Sequence, residues 1–400
     1  MYEQEFQADI LYLMFYAGVA VLTLVASCYL LFRRGNAFAP DITPPARLRR
    51  WAAAFFAALA LCHLWYLPIY FLSSSADVML GFHIAGLFDC LTVFPLSVVV
   101  LLVMLQDRRR PLWPVWVMMA PFVAGRLWSI ATCSDALVPI LFGCFMLVCI
   151  GLIIYMVRAT RQYGRWLRDN YADLEHKEVW QSIVVLAVIL SSFLIYSFDI
   201  GELIYEYAME VIIIVLICYL LWRIETLSDL SISDPQSLPA DETVAEDTED
   251  HTQPMTIQYK IMPLLQKYCI DTQLYLQHDL TLLQLAKVIG TNRSYLSQYF
   301  SSQGVTYNAY INGLRIQHFI NLYHEAAANS QPMSIQQLAH QSGFRSYSTF
   351  NAAFKQSMGM TATEWMRPSE SSKLAVCCPL MIVISKDLTT FVPLTVDLKH

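Results

Sequence analysis

SIQQLAHQSGFRSYSTFNAAFKQSMGMTATEW, from Ser334 to Trp365, is the stretch on which the fold turns. The Ser334 hydroxyl stands three residues before Gln337, the spacing of a capping box in which each side chain bonds the other's backbone N–H. The short helix this begins ends near Gly343, a residue free to adopt the left-handed turn that stops a helix. A second helix then starts, with Phe350 and Phe354 one turn apart on its inward face. Helix, tight turn, helix is the reading.

Working outward, the same order of residues recurs upstream at a spacing of about 54, in LTLLQLAKVIGTNRSYLSQYFSSQGVTYNAYINGLRI from Leu280 to Ile316. Thr281 and Gln284 form the matching box. Leu285-Ala286 corresponds to Leu338-Ala339, Gly290 to Gly343, Leu296 to Phe350, Phe300 to Phe354, Gly304 to Gly359 and Tyr310 to Trp365. Two helix-turn-helix units joined by a long helix around Arg315 are expected. Residues Ile257 to Arg367 carry eight cations against four acids, a net charge of +4. That is a modest footprint for phosphate binding, so DNA affinity is expected to rise steeply on dimerisation.

These two stretches resemble the AraC family of bacterial transcription regulators, over roughly a quarter of the chain. The resemblance implies that the second helix of each unit, Arg293 to Phe300 and Arg345 to Phe354, enters successive major grooves of double-stranded DNA. The outward positions would read bases: Arg293, Ser294, Ser297 and Gln298 in the first unit, and Arg345, Ser346, Tyr347, Ser348 and Asn351 in the second. Gln and Asn suit adenine, Arg suits guanine and Ser either. Arg315 and Lys355 add positive charge to the expected DNA contacts. Gln298 and Ala352 stand where the family often carries Arg, and Ser301 and Ser302 where Lys is common. A homodimer and a contact with RNA polymerase are further expected partners.

The rest of the chain is of another kind. With 56% hydrophobic and 14% charged residues, the 400-residue chain holds more apolar surface than a soluble core needs. The excess lies between Ile10 and Trp222. A membrane-crossing helix takes roughly 20 apolar residues, and seven segments fit: Ile10–Phe32, Trp51–Leu72, Val78–Leu105, Leu112–Trp128, Leu137–Val157, Trp180–Ile200 and Leu203–Trp222. The fourth is short and interrupted by Pro114 and Pro121. The acidic leader, with Glu3, Glu5 and Asp9, is unlike the basic start of a signal peptide.

Basic residues fall in alternate loops, at Arg33, Arg34 and Arg47 to Arg50, at Arg108 to Arg110, and at Arg158 to Lys177. Lys and Arg favour the cytoplasmic side, so an N-terminus outside and a C-terminal half in the cytoplasm satisfy every loop. The expected location is the bacterial cytoplasmic membrane, with the lipid bilayer as a partner.

The domain division is therefore expected at 1–225 for a seven-span membrane domain, 226–256 for a disordered linker, 257–367 for the tandem helix-turn-helix domain and 368–400 for a C-terminal tail. The net charge of −6 is concentrated in the linker, where no Lys or Arg occurs between Arg223 and Lys260. Its Ser, Asp, Glu, Pro and Thr cannot bury enough surface to fold. Ionisable groups in the apolar half are costly there. Asp89, Arg126, Asp199, Glu206 and Glu210 are candidates for an intramembrane signal site, taking an unidentified ligand or a proton.

Six of the ten cysteines lie in apolar runs, no C-x-x-C pair occurs, and no metal site, disulfide or cofactor is expected. The sequence holds no Gly-rich phosphate loop, nucleophile elbow, His-Glu metal motif or kinase motif, so an enzyme is not expected. The fold class expected is all-α, and the function is a membrane-tethered transcription regulator coupled to a membrane or extracellular signal. The competing reading is a receptor or transporter whose C-terminal helical domain binds protein partners.

Overall fold

The computed structural model describes residues 10–33, 36–40, 42–180, 184–185, 187–188, 203–230, 261–329 and 334–367. Every regular element among them is helical. They divide into two compact units, one holding the described residues up to Gly164 and from His176 to Leu230, the other Arg165–Glu175 together with those from Ile261 onward.

The first unit contains α1 (Ile10–Phe32), α2 (Ala46–Tyr66, continued by a 3-10 turn over Leu67–Phe71), α3 (Ser75–Leu91), α4 (Val93–Met104), α5 (Trp113–Thr132), most of α6 (Val138–Asn170) and α7 (Leu203–Thr226). Among the described residues six helices are long and apolar enough to cross a membrane, α3 and α4 counting together as one. Seven are expected from the sequence; the Trp180–Ile200 span falls largely outside the described residues, as do residues 231–256 of the expected linker and all of the tail. Ala52, Ala53 and Ala60 on α2 are buried, and α1 packs along α2. Ser27 donates to the Ala53 carbonyl at 2.8 Å there.

Two spans differ from their sequence reading. The third is not one helix, because Thr92 leaves the helical region at φ −126°, ψ −70°. Pro95 has no N–H to give the Leu91 carbonyl, which accounts for the break. The fourth is an unbroken 20-residue helix. Pro114 sits in its first turn, where a missing N–H costs nothing, and the lost bond at Pro121 does not end it. Residues 226–230, expected at the head of the linker, are packed instead: Leu227 and Leu230 are buried, and Leu230 N donates to Gln106 Oε1 at 2.9 Å.

The second unit holds α8 (Leu282–Ile289), α9 (Arg293–Ser302), α10 (Tyr307–Ala328), α11 (Ile335–Gln341), α12 (Tyr347–Met358) and α13 (Ala362–Met366). Both capping boxes read from the sequence are formed. Thr281 N donates to Gln284 Oε1 at 2.8 Å and Gln284 N to Thr281 Oγ1 at 3.2 Å; the Ser334–Gln337 pair repeats this at 3.1 and 3.2 Å. A third box, Thr361–Glu364, opens α13.

The unit has two apolar cores, and α10 belongs to both. Its first half puts Tyr307, Ile311 and Leu314 against Leu285, Ile289, Leu296 and Phe300. Its second half puts Ile316 and Phe319 against Leu338, Phe344, Phe350 and Phe354. One helix thus sets the spacing between the two helix-turn-helix units, and side chains at the i, i+4 spacing decide which core each turn faces.

Candidate nucleic-acid interface

α9 and α12 are the second helices of the two motifs, and their N-caps fix where each begins. Asn292 Oδ1 accepts from Ser294 N at 3.0 Å, and Ser346 Oγ from Thr349 N at 3.3 Å. The apolar side of each helix is spent on the core: Leu296 and Phe300 in α9, Phe350 and Phe354 in α12, all buried. What remains outward on α9 is Ser294, Tyr295, Gln298, Ser301 and Ser302, with Tyr295 51% exposed. On α12 and its approach the exposed side chains are Arg345, Ser348, Ala352, Lys355 and Gln356.

The expected reading residues therefore fall into separate groups. Ser294, Gln298, Arg345, Ser348 and Lys355 are exposed, and Ser297 is half-buried. Arg345 reaches Asp279 at 3.4 Å across the surface, a pair that solvent keeps weak. Ser346 is occupied as a helix cap. Tyr347 is half-buried, its ring 5.9 Å from that of Phe350. Asn351 holds its Oδ1 away from solvent without a hydrogen-bond partner.

Arg293 is half-buried, and its Nε and Nη2 donate to Asn170 Oδ1 at 3.0 and 2.6 Å. Asn170 ends α6 and lies in this same unit.

Arg315 is a correction. The sequence reading puts it among the DNA contacts, yet it is 1% exposed and its guanidinium donates to the carbonyls of Tyr275 at 2.8 Å, Gln277 at 2.7 Å and His278 at 3.2 Å. Its planar fork of donors suits a cluster of backbone acceptors, which is why an Arg can be buried there. Burial lowers its pKa, and Asp173 opposes that shift most. Nearby, burial pushes the Cys269 thiol up to about 12, leaving it a small core side chain rather than a reactive one.

Residues 285–368 match a family model described as a helix-turn-helix domain. The chain also matches the TCP pilus virulence regulatory protein of Vibrio cholerae serotype O1, in its classical and El Tor strains, each at 36% identity over 76 residues. That region is 19% of this chain and 26% of the relative, so the chain spans about a quarter of the length of the curated relatives it matches. No solved structure matches significantly. The two matches support a helix-turn-helix domain of the kind that binds DNA in transcription regulators.

In the first unit the expected signal-site residues are split among separate partners. Asp89 accepts from Tyr66 at 2.7 Å, Trp65 at 3.2 Å and Cys62 at 3.5 Å. Glu210 Oε2 lies 3.2 Å from His63 Nε2, both buried. Arg126 Nη1 is 3.1 Å from His83 Nδ1, whose other nitrogen is 2.7 Å from Asp135. Gly86 makes room for Arg126, since a Cβ there would stand 3.0 Å from its guanidinium carbon. Glu206 is half-buried, and Asp199 lies outside the described residues. Sequence reading did not find Tyr66 and Trp65 as partners of Asp89, because aromatic residues in an apolar helix look alike whether they face lipid or a carboxylate.

Proposed function

We propose that this protein is a membrane-tethered, sequence-specific DNA-binding regulator of transcription that couples a signal at the membrane to gene expression. The observation that carries the reading is the pair of capped helix-turn-helix units, each presenting a polar outward face on its second helix, in a chain whose described residues include six helices apolar enough to cross a membrane. In this reading residues 1–230 form the bacterial inner-membrane domain with the N-terminus outside, 231–256 the linker, 257–367 the cytoplasmic DNA-binding domain and 368–400 a tail. Two copies bind as a homodimer, with Gln298 and Ser348 at base edges, Arg345 and Lys355 at phosphate or guanine, and RNA polymerase as a further partner. The groups around Asp89, Arg126 and Glu210 take the signal in the membrane half.

The test is genome-wide crosslinking of the full-length protein in its own cells, beside a Gln298→Ala, Arg345→Ala double variant. Discrete peaks that the variant loses are the expected result. An absence of peaks in every growth condition, with the protein present in the membrane fraction, overturns the reading.

A further inference from the structure

The second unit contains a piece of chain far from it in sequence. The end of α6 and the loop after it, Asn170–Glu175, thread between the two helix-turn-helix motifs. Ala172 is fully buried in the first apolar core. Its N–H donates to the Leu280 carbonyl at 3.2 Å, and Tyr171 forms an isolated antiparallel bridge with Thr281. The buried Asn308 amide donates to the carbonyls of Ala172 at 2.7 Å and Tyr171 at 3.3 Å. Asp173, 2% exposed, is the carboxylate that most offsets the burial of Arg315.

The two ends of the segment meet the two recognition helices. Asn170 takes two hydrogen bonds from Arg293, the single cation of α9. Glu175 takes one at 3.0 Å from Thr349 Oγ1, in the first turn of α12. The chemistry is the wrong kind for a surface that is to meet phosphates. A neutral amide satisfies the one arginine that opens α9. A carboxylate sits at the helix N-terminus of α12, where backbone N–H groups would otherwise attract a phosphate oxygen.

We propose that Asn170–Glu175 is an intramolecular latch that competes with DNA for both recognition helices, and that its release turns DNA binding on. Since α6 runs without interruption from the apolar half into the latch, a displacement or rotation of that helix is the means of release. The proposal rests on the DNA-binding function given above.

Full-length protein in lipid nanodiscs is titrated with a duplex library of randomised sequence, using wild type, Asn170→Ala, Ala172→Arg and Arg293→Ala. Asn170→Ala frees Arg293 without touching the core, and Ala172→Arg expels the segment by placing a charge where 0% of the side chain is exposed. Both are expected to bind DNA about tenfold more tightly or better, the effect of releasing a hydrogen-bonded charge, while Arg293→Ala binds more weakly. In parallel, an Ala172→Cys variant is labelled with maleimide and read by peptide mass; its introduced thiol is expected to be protected in the protein alone and labelled once DNA is added.

Wild type binding as tightly as Asn170→Ala, or protection of the Ala172→Cys thiol unchanged by bound DNA, overturns the latch while leaving the DNA-binding reading standing. No binding by any variant at low salt overturns that reading and the latch with it.

Discussion

Gly343 lies so close to the backbone of Leu276 that a Cβ on it would stand 2.8 Å from both the Leu276 Cα and its carbonyl oxygen. Gly343 also has φ +87°, a conformation that strains other L-residues by about 1–2 kcal/mol. Gly290, its counterpart in the first motif, has φ +71° but open space where the Cβ would go. Gly290→Ala is therefore expected to cost about 1–2 kcal/mol, and Gly343→Ala clearly more, because the backbone of Leu276 must move. Hydrogen exchange at the amides of α11 and α8 in the full chain measures both. Equal losses would show that the contact with Leu276 carries no energy.

Arg315 separates two kinds of arginine in this domain. Replacing it by Ala removes the guanidinium that serves the buried Tyr275 carbonyl and the partly buried carbonyls of Gln277 and His278, and is expected to cost about 3 kcal/mol. Arg345→Ala removes a pair whose side chains are 39% and 58% exposed and is expected to change stability by roughly 0.5 kcal/mol or less while weakening DNA binding. Thermal unfolding and DNA titration of the two variants should thus rank them in opposite order. The same order in both assays sinks this assignment.

The capping boxes give a pH-dependent prediction. Hydrogen bonds from the Thr361 backbone and side chain hold the Glu364 carboxyl below its ordinary value of 4.5. A depressed folded pKa means that the contribution to stability is complete above 4.5 and is lost as pH falls through the lower, folded value. Exchange at the Thr361 amide, which donates to Glu364 Oε2 at 2.8 Å, is expected to lose protection over that range. Glu364→Gln should abolish the transition; a transition that survives it comes from another group.

His63 and Glu210 are buried together in the first unit. Removing one partner leaves a polar group without its match, whereas replacing both by Leu leaves neither. His63→Leu and Glu210→Leu are each expected to lower the melting temperature in detergent, and the double variant to recover part of the loss. The coupling should be about 1 kcal/mol or more. Strictly additive losses would mean that the contact is incidental.

Much of the domain architecture was legible because its signals are local. Thr281-x-x-Gln284 and Ser334-x-x-Gln337 start helices by bonds within one turn, and Phe350 and Phe354 declare the buried face of α12 by their spacing alone. The apolar runs did the same for six of the spans. Thr92 was harder, since the break depends on a proline three residues later and not on Thr92 itself.

By itself, then, the sequence determined that the chain is helical, that its first half is apolar enough for a membrane, and that its second half repeats a helix-turn-helix. Each of these follows from hydrophobic period, caps and turn residues acting within a few positions. Only the tertiary structure decided where the charged side chains end. Arg315 looks like a surface cation in the sequence but is consumed by the carbonyls of Tyr275, Gln277 and His278, and Arg293 is held by Asn170, 123 positions away. A guanidinium takes whichever acceptors the fold brings within reach, and that choice is made by long-range packing around α10, which no local pattern encodes.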